Sequence, residues 1–393
     1  MEPVRTASNV FASGADRTTF SLEALPDEVK KCELTRIQRA AKRVLATMTP
    51  SNADNFQLTV LNPGGRDTEQ SFRDQGGPAA TVHPPINFHA FAACTRGFFH
   101  HDTQRAIVEG VPVLLLLRGD FRASERAFTE LKKHGYKIAV SLKETGLHQI
   151  AGQLCKRTRL ARFIKIVEQA DGCVATTPEA AEIYWRARLK RDPATVAFIP
   201  TPYPLEDRQW NLSVPPNEQT GIFVGTREWD VPSRNHFAAL LAARQLCEAT
   251  GDPVTVVNLD GRKGRRLLAE LKFPDEKLRL IEKQKPYAEY LREVARHKIV
   301  FQLDRSRVPG QVAGDALLAR VICVGGDGAI DRIAFPNTCG EGRTLNDLVK
   351  IASNLLTNTN GRATQIVESQ WRAMERLSFQ AIRSQLVDFF ARL

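Results

Sequence analysis

The residues best suited to chemistry fall into a few clusters. Gly225, Arg227 and the pair Arg234-Asn235 follow a short apolar run at 221–224. A glycine lets a ligand approach the backbone closely. A helix start turns unpaired N–H groups toward an anion, and guanidinium groups grip oxyanions in bidentate fashion. Together they suit a bound phosphate, against the plainer alternative that both arginines face water. Asp315 stands in an apolar helical stretch, with Arg307, Gly310 and Gln311 before it; its carboxylate can accept two hydroxyl donors. Glu144 follows an apolar strand pattern, and His148 lies four residues beyond it. That places a carboxylate and an imidazole for proton transfer or for a hydroxyl contact, although a lone histidine often serves only packing. Lys283 and Tyr287 occupy the segment Glu282-Lys283-Gln284-Lys285-Pro286-Tyr287, where the tyrosine can stack on a ligand or pack on the helix below. Gly325-Gly326-Asp327-Gly328 forms a close-approach loop.

Other reactive residues point away from metal or disulfide chemistry. The seven cysteines are scattered without a close pair, so they fit neither a zinc ribbon nor a disulfide framework and read as reduced and buried. His83, His89, His100, His101 and Asp102 form a histidine-rich patch. Adjacent histidines on a helix diverge by about 100°, which argues against a shared metal.

Strand and helix patterns alternate behind these clusters. Residues 1–25 read as a poorly ordered arm, and Pro26-Asp27-Glu28 opens a basic helix with acids at the positive end of its dipole. Strands are predicted at 56–61, 111–117, 137–142, 172–175 and 196–199, with helices at 121–134, 157–168 and 178–189. The prolines between Pro200 and Pro216 break the pattern, since proline supplies no amide donor and fixes φ. Alternation then resumes: strands at 221–224, 254–258, 278–282, 299–303 and 321–324, helices at 235–249, 264–271, 286–296 and 310–319, and an amphipathic last helix near 379–393. The expected organisation is an N-terminal domain at 26–205, a linker at 206–218 and a second domain at 219–376, with the last helix (377–393) packing back on the first domain. Repeated units of this length imply parallel α/β sheets. Ligands of such sheets bind beyond the carboxyl ends of the strands.

Several segments carry a family likeness. They are Glu168-Gln169-Ala170-Asp171-Gly172-Cys173-Val174-Ala175-Thr176-Thr177-Pro178, Val196-Ala197-Phe198-Ile199-Pro200, Gly221-Ile222-Phe223-Val224-Gly225 and Asp315-Ala316-Leu317-Leu318-Ala319-Arg320-Val321-Ile322-Cys323-Val324-Gly325. In this order and spacing the chain from about residue 85 onward resembles the GT-B glycosyltransferases, and its second half is similar to the donor-binding domain of the retaining glycosyltransferase family 4 type. The resemblance implies two Rossmann-like domains facing across a cleft. It implies transfer of a sugar from a UDP- or GDP-sugar donor to a glycan, lipid or protein acceptor, with retention and without a bound metal or cofactor. In that family a basic pair after the first strand of the second domain holds the diphosphate, which falls on Arg227 and Arg234, and the loop at 282–287 borders the base. The family carries two glutamates separated by seven residues. Asp315 takes the place of the second, which holds ribose. Arg307 takes the place of the first and reverses the charge beside the sugar, where it can bind phosphate or an acidic sugar or mark lost catalysis. Glu144, then His148, are the candidates for the acceptor side. Two other readings remain open: a nucleotide-binding or scaffold protein without turnover, and a sugar-nucleotide epimerase-like enzyme. Taken alone, Gly325–Gly328 also resembles the phosphate loop of NAD and diacylglycerol kinases, but too little chain follows it for their further domain.

The net charge of +11 is spread over both halves and favours anionic partners without choosing among them. It suggests a positively lined crevice. The basic stretch from Lys156 to Lys165 leaves open a peripheral contact with anionic lipid, while the lack of interleaved aromatics argues against nucleic acid. No apolar run approaches the roughly 20 residues of a membrane-spanning helix, and the first residues lack an apolar signal core. The expected location is cytoplasmic, with the inner membrane face as the alternative.

Overall fold

A computed structural model describes residues 55–73, 83–188, 192–225, 229–274 and 276–393. The expected N-terminal arm and the helix opened by Pro26 lie outside them. The chain is α/β, with two Rossmann-like lobes inside one compact unit that runs from Asn52 to Leu393.

The first lobe is built on β1 (Thr59–Leu61), β2 (Gln70–Ser71), β3 (Phe98–His100), β4 (Val113–Leu117), β5 (Ile138–Leu142), β6 (Gly172–Ala175) and β7 (Val196–Phe198). Their order is β2-β3-β1-β4-β5-β6-β7, parallel throughout except for the edge strand β2. β4 reads Val-Leu-Leu-Leu-Leu and every residue is buried, because a parallel sheet is covered on both faces. Side chains alternate across a strand. Val113, Leu115 and Leu117 therefore enter a core with Phe128, Phe163 and Tyr184. Leu114 and Leu116 enter the opposite core with Phe91 and, from the last helix Phe379–Arg392, Ile382, Leu386, Phe389 and Phe390.

The second lobe holds β8 (Ile222–Val224), β9 (Val254–Val257), β10 (Leu278–Ile281), β11 (Ile299–Phe301) and β12 (Ile322–Val324), all parallel, in the order β10-β9-β8-β11-β12. The chain crosses between lobes near Tyr203 and returns at Leu377 and Ser378. The two crossings meet where the Tyr203 N–H donates to the Leu377 carbonyl at 2.8 Å.

The sequence pattern misses the elements between β1 and β4. Helix Asn87–Cys94 is buried at every position after its first, so it shows no polar stripe to read. The His100-His101 pair is not helical: His100 ends β3, because the aromatic run Phe98-Phe99-His100 favours a strand. His89 stacks between His83 and Phe99, and burial drops its pKa to about 3.

Candidate functional site

In each sheet, neighbouring strands whose connections run in opposite directions open a crevice at their carboxyl ends. That switch point falls between β8 and β11 in the second lobe and between β1 and β4 in the first. A cavity of about 940 Å³ spans the gap between the lobes. It brings together Glu144 from the first lobe with Gly225, Arg234, Lys283, Tyr287, Gly310, Gln311 and Asp315 from the second. Arg227 lies outside the described residues. Arg307, His148, Asn235 and Asp327 are not in the lining.

Part of the lining is aromatic and acidic. Tyr287 opens the helix Tyr287–Ala295 directly after Pro286. Its hydroxyl donates to Asp315 Oδ1 at 2.6 Å. Asp315 belongs to the helix Gln311–Ala319 and is 3% exposed. Burial, together with the Asp315 carboxylate, holds the Tyr287 phenol well above its ordinary pKa. The Trp210 ring lies 5.9 Å from that of Tyr287 and also lines the cavity. A carboxylate beside two aromatic rings suits a sugar hydroxyl pair and a flat ring.

The basic part of the wall is partly neutralised. Arg234 forms an ion pair with Asp304, whose Oδ1 accepts the Ser306 N–H at 2.7 Å. Asn235 is bracing rather than lining: it precedes the helix His236–Thr250 with φ +48, and its amide donates to the Leu303 carbonyl at 3.0 Å. Among the described residues the lining holds Lys143, Arg234, Lys283, Lys285 and Arg292 against Glu144, Glu289, Asp304, Asp315 and Asp331. That balance differs from the one-signed crevice expected from net charge.

Arg307 takes a different place from the one its sequence position suggests. It has φ +50 and turns across the gap, where its Nη1 donates to Glu179 Oε1 at 2.9 Å. Arg332 holds both Glu179 oxygens, at 2.9 and 3.1 Å. Burial alone would raise the Glu179 pKa, but the two guanidiniums keep it below the ordinary range. Glu179 belongs to the first lobe, at the start of the helix Pro178–Ala187, so this triad ties the lobes together. The Leu147 N–H donates across the same gap to the Ser306 carbonyl at 3.2 Å, and the Asn87 amide to Gln311 Oε1 at 3.2 Å. Asp327 accepts the Arg307 N–H at 3.4 Å, and burial pushes its pKa up. His148 is exposed on the helix Leu147–Leu154, whereas Glu144 faces the cavity and accepts the amide of the buried Gln153.

Sequence reasoning missed Gln302, Asp304, Asp331 and Trp210. The first two follow β11, so the rule that ligands sit past strand ends would have found them. Asp331 and Trp210 carry no comparable signal.

No protein-family model matches the chain, and no curated protein matches it by sequence. Its fold does have solved counterparts. Sucrose-phosphate synthase from Thermosynechococcus elongatus aligns with TM-score 0.54 and 15% identity, over 74% of this chain and 76% of its own. HepE from Anabaena, solved with UDP-glucose, aligns with TM-score 0.56 and 11% identity, over 86% of this chain and 100% of its own. The trehalose-6-phosphate synthase OtsA gives 0.55 and 10%, over 74% and 75%. At these identities the likeness establishes architecture: the chain has the two-lobed GT-B fold.

Proposed function

We propose that the chain is a glycosyltransferase that moves a sugar from a UDP- or GDP-sugar to a glycan, lipid or protein acceptor. One observation carries the reading. The cavity joins the carboxyl ends of both sheets, and its lining includes Asp315, Tyr287 and Trp210 together with Gly225, Arg234 and the start of the helix Gln311–Ala319. In this reading Asp315 takes ribose hydroxyls and Tyr287 and Trp210 border the base, with Lys283 near the same edge. Arg234, the Gly225 backbone and the N–H groups following Gly310 receive the diphosphate. Arg227, two residues beyond Gly225 in sequence, is included in this reading. Solved neighbours include one bound to UDP-glucose, which agrees with that class of donor.

Glu144 is the first-lobe carboxylate that faces this space, positioned to contact the acceptor or to take its proton. Charge stabilisation at the departing diphosphate supplies most of the rate enhancement in such chemistry. Retention and independence of a metal belong to this proposal, as do a cytoplasmic location and contact of the exposed Lys156 and Arg157 with anionic lipid. No helix among the described residues is long and apolar enough to cross a membrane.

A second reading, nucleotide binding without turnover, is favoured by Arg307. It stands where the resembled family has an acid and is engaged with Glu179 instead of the cavity. Incubating the purified chain with UDP- and GDP-sugars separates the two, with nucleotide release and product mass as readouts. Release of UDP or GDP with a sugar mass added to an acceptor is the expected result. A nucleotide-induced rise in melting temperature without any release would support the second reading.

A further inference from the structure

The cavity wall holds a group that none of these roles uses. Asp331 is the third residue of the short helix Ala329–Ala334; it is only 2% exposed, yet it lines the cavity. Its Oδ1 accepts the Gln302 amide at 3.0 Å and faces the Cys323 thiol at 3.6 Å. Its Oδ2 has no hydrogen-bond partner among the described residues. The residue is buried, but that oxygen is not closed off from solvent, so water or a ligand can donate to it. Where such an atom borders a cavity, a ligand's donor completes its set.

The surroundings keep that oxygen reachable. A Cβ at Gly310 would stand 3.0 Å from Oδ2 and one at Gly328 would stand 2.8 Å from it. Gly310 also has φ +97, a conformation side chains rarely adopt. Gly310 leads into the helix Gln311–Ala319, whose first residues Gln311 and Val312 line the cavity. On the other side of Gly310 is Val308, whose side chain would meet a Cβ at Gly146 at 3.0 Å, next to the cavity-lining Glu144 and Thr145. Asp331 thus sits between the phosphate-binding end of the second lobe and the wall of the first.

This inference rests on the nucleotide-sugar reading above. A sugar attached to a diphosphate at Gly225 and Arg234 must lie between those walls for its anomeric carbon to meet an acceptor. We propose that Asp331, braced by Gln302, accepts a hydroxyl of the donor's sugar, so that the site takes neutral, hydroxyl-rich sugars and rejects those carrying a carboxylate. At a pH where Asp331 is ionised, an acidic sugar would bring a second negative charge against it. Of the lining cations, Arg234 pairs with Asp304, Lys143 with Asp67 and Lys285 with Glu293, while Lys283 and Arg292 flank Tyr287 in sequence, on the side assigned to the base.

Calorimetric titration of the full chain at pH 8 tests this with UDP, UDP-glucose and UDP-glucuronic acid, and in parallel with GDP, GDP-mannose and GDP-mannuronic acid. The wild-type chain is expected to bind the neutral member of the preferred pair about tenfold more tightly than the acidic one. Asp331→Asn is expected to narrow that ratio to about threefold while changing affinity for the free diphosphate by less than about twofold. The wild-type ratio needs no variant, so a poorly folding Asp331→Asn still leaves a decisive measurement. Equal or tighter binding of the acidic sugar nucleotide overturns the inference, and so does a ratio that Asp331→Asn leaves unchanged. If neither UDP nor GDP binds, the nucleotide-sugar reading fails and takes this one with it; binding of a diphosphate without sugar discrimination sinks this one alone.

Discussion

The hydrogen bond from Tyr287 to Asp315 joins two helices at the edge of the cavity. Tyr287→Phe removes the donor and leaves a buried carboxylate short of a partner, which is expected to cost about 1–3 kcal/mol. Urea unfolding measures it, and an unchanged midpoint and slope would mean the carboxylate is satisfied without the phenol. Asp331 offers a test through pH. Burial, reinforced by the charges of Asp304 and Asp327, pushes its pKa up to about 7 from an ordinary 3.8. Between those values the native carboxyl holds a proton that the unfolded chain has released, so this group's contribution to stability falls as pH rises through that window. Asn cannot ionise. The stability of Asp331→Asn relative to the parent is therefore expected to increase from about pH 5 to about pH 8, read by unfolding at each pH. A relative stability that decreases over the same range would contradict the burial of an ionisable group there.

Among the elements, the last helix shows most directly how distant sequence completes a core. Phe389 is 1% exposed and packs on the first sheet, where a Cβ at Gly172 would come within 2.6 Å of its ring. Phe389→Ala is expected to destabilise the chain by about 3–5 kcal/mol, measured by chemical denaturation. A loss within the range of a surface change would show that the helix is not docked there. The same contrast explains what the sequence made legible. Strands such as β4 and β5 announce themselves because a sheet covered on both faces needs mostly apolar runs, unbroken in β4 and interrupted only by Ser141 in β5, and the helices between them show a polar stripe. Asn87–Cys94 is enclosed on all sides, and β3 has only three residues, so neither has a period to detect. At the site, Gly225 and Arg234 follow from a strand end and a helix start, and Asp315 from the family resemblance. Arg307 shows the limit of such reading: its sequence place points at the cavity, but its left-handed backbone and the distant Glu179 direct it across the gap. Long-range pairs of that kind leave no local pattern.

For the whole molecule, the pairing of Glu179 with Arg307 and Arg332 bears on how the lobes are held. Side chains of Glu179 and Arg332 are 15% and 16% exposed, so the pair is shielded from solvent more than a surface ion pair. Removing one partner leaves buried charge uncompensated. Glu179→Ala is expected to loosen the lobes, seen as a larger radius of gyration in small-angle scattering of the ligand-free chain, with nucleotide restoring the smaller value. An unchanged radius would mean the crossing at Tyr203 and Leu377 fixes the lobes by itself. The central question is whether the space between the lobes is a nucleotide-sugar site. A crystal structure of the chain grown with UDP or GDP answers it most directly. The expected density places ribose at Asp315, the base beside Tyr287 and Trp210, and the diphosphate between Gly225, Arg234 and the start of the helix Gln311–Ala319. A nucleotide bound outside that cavity, or a cavity that stays empty at saturating nucleotide, would contradict it.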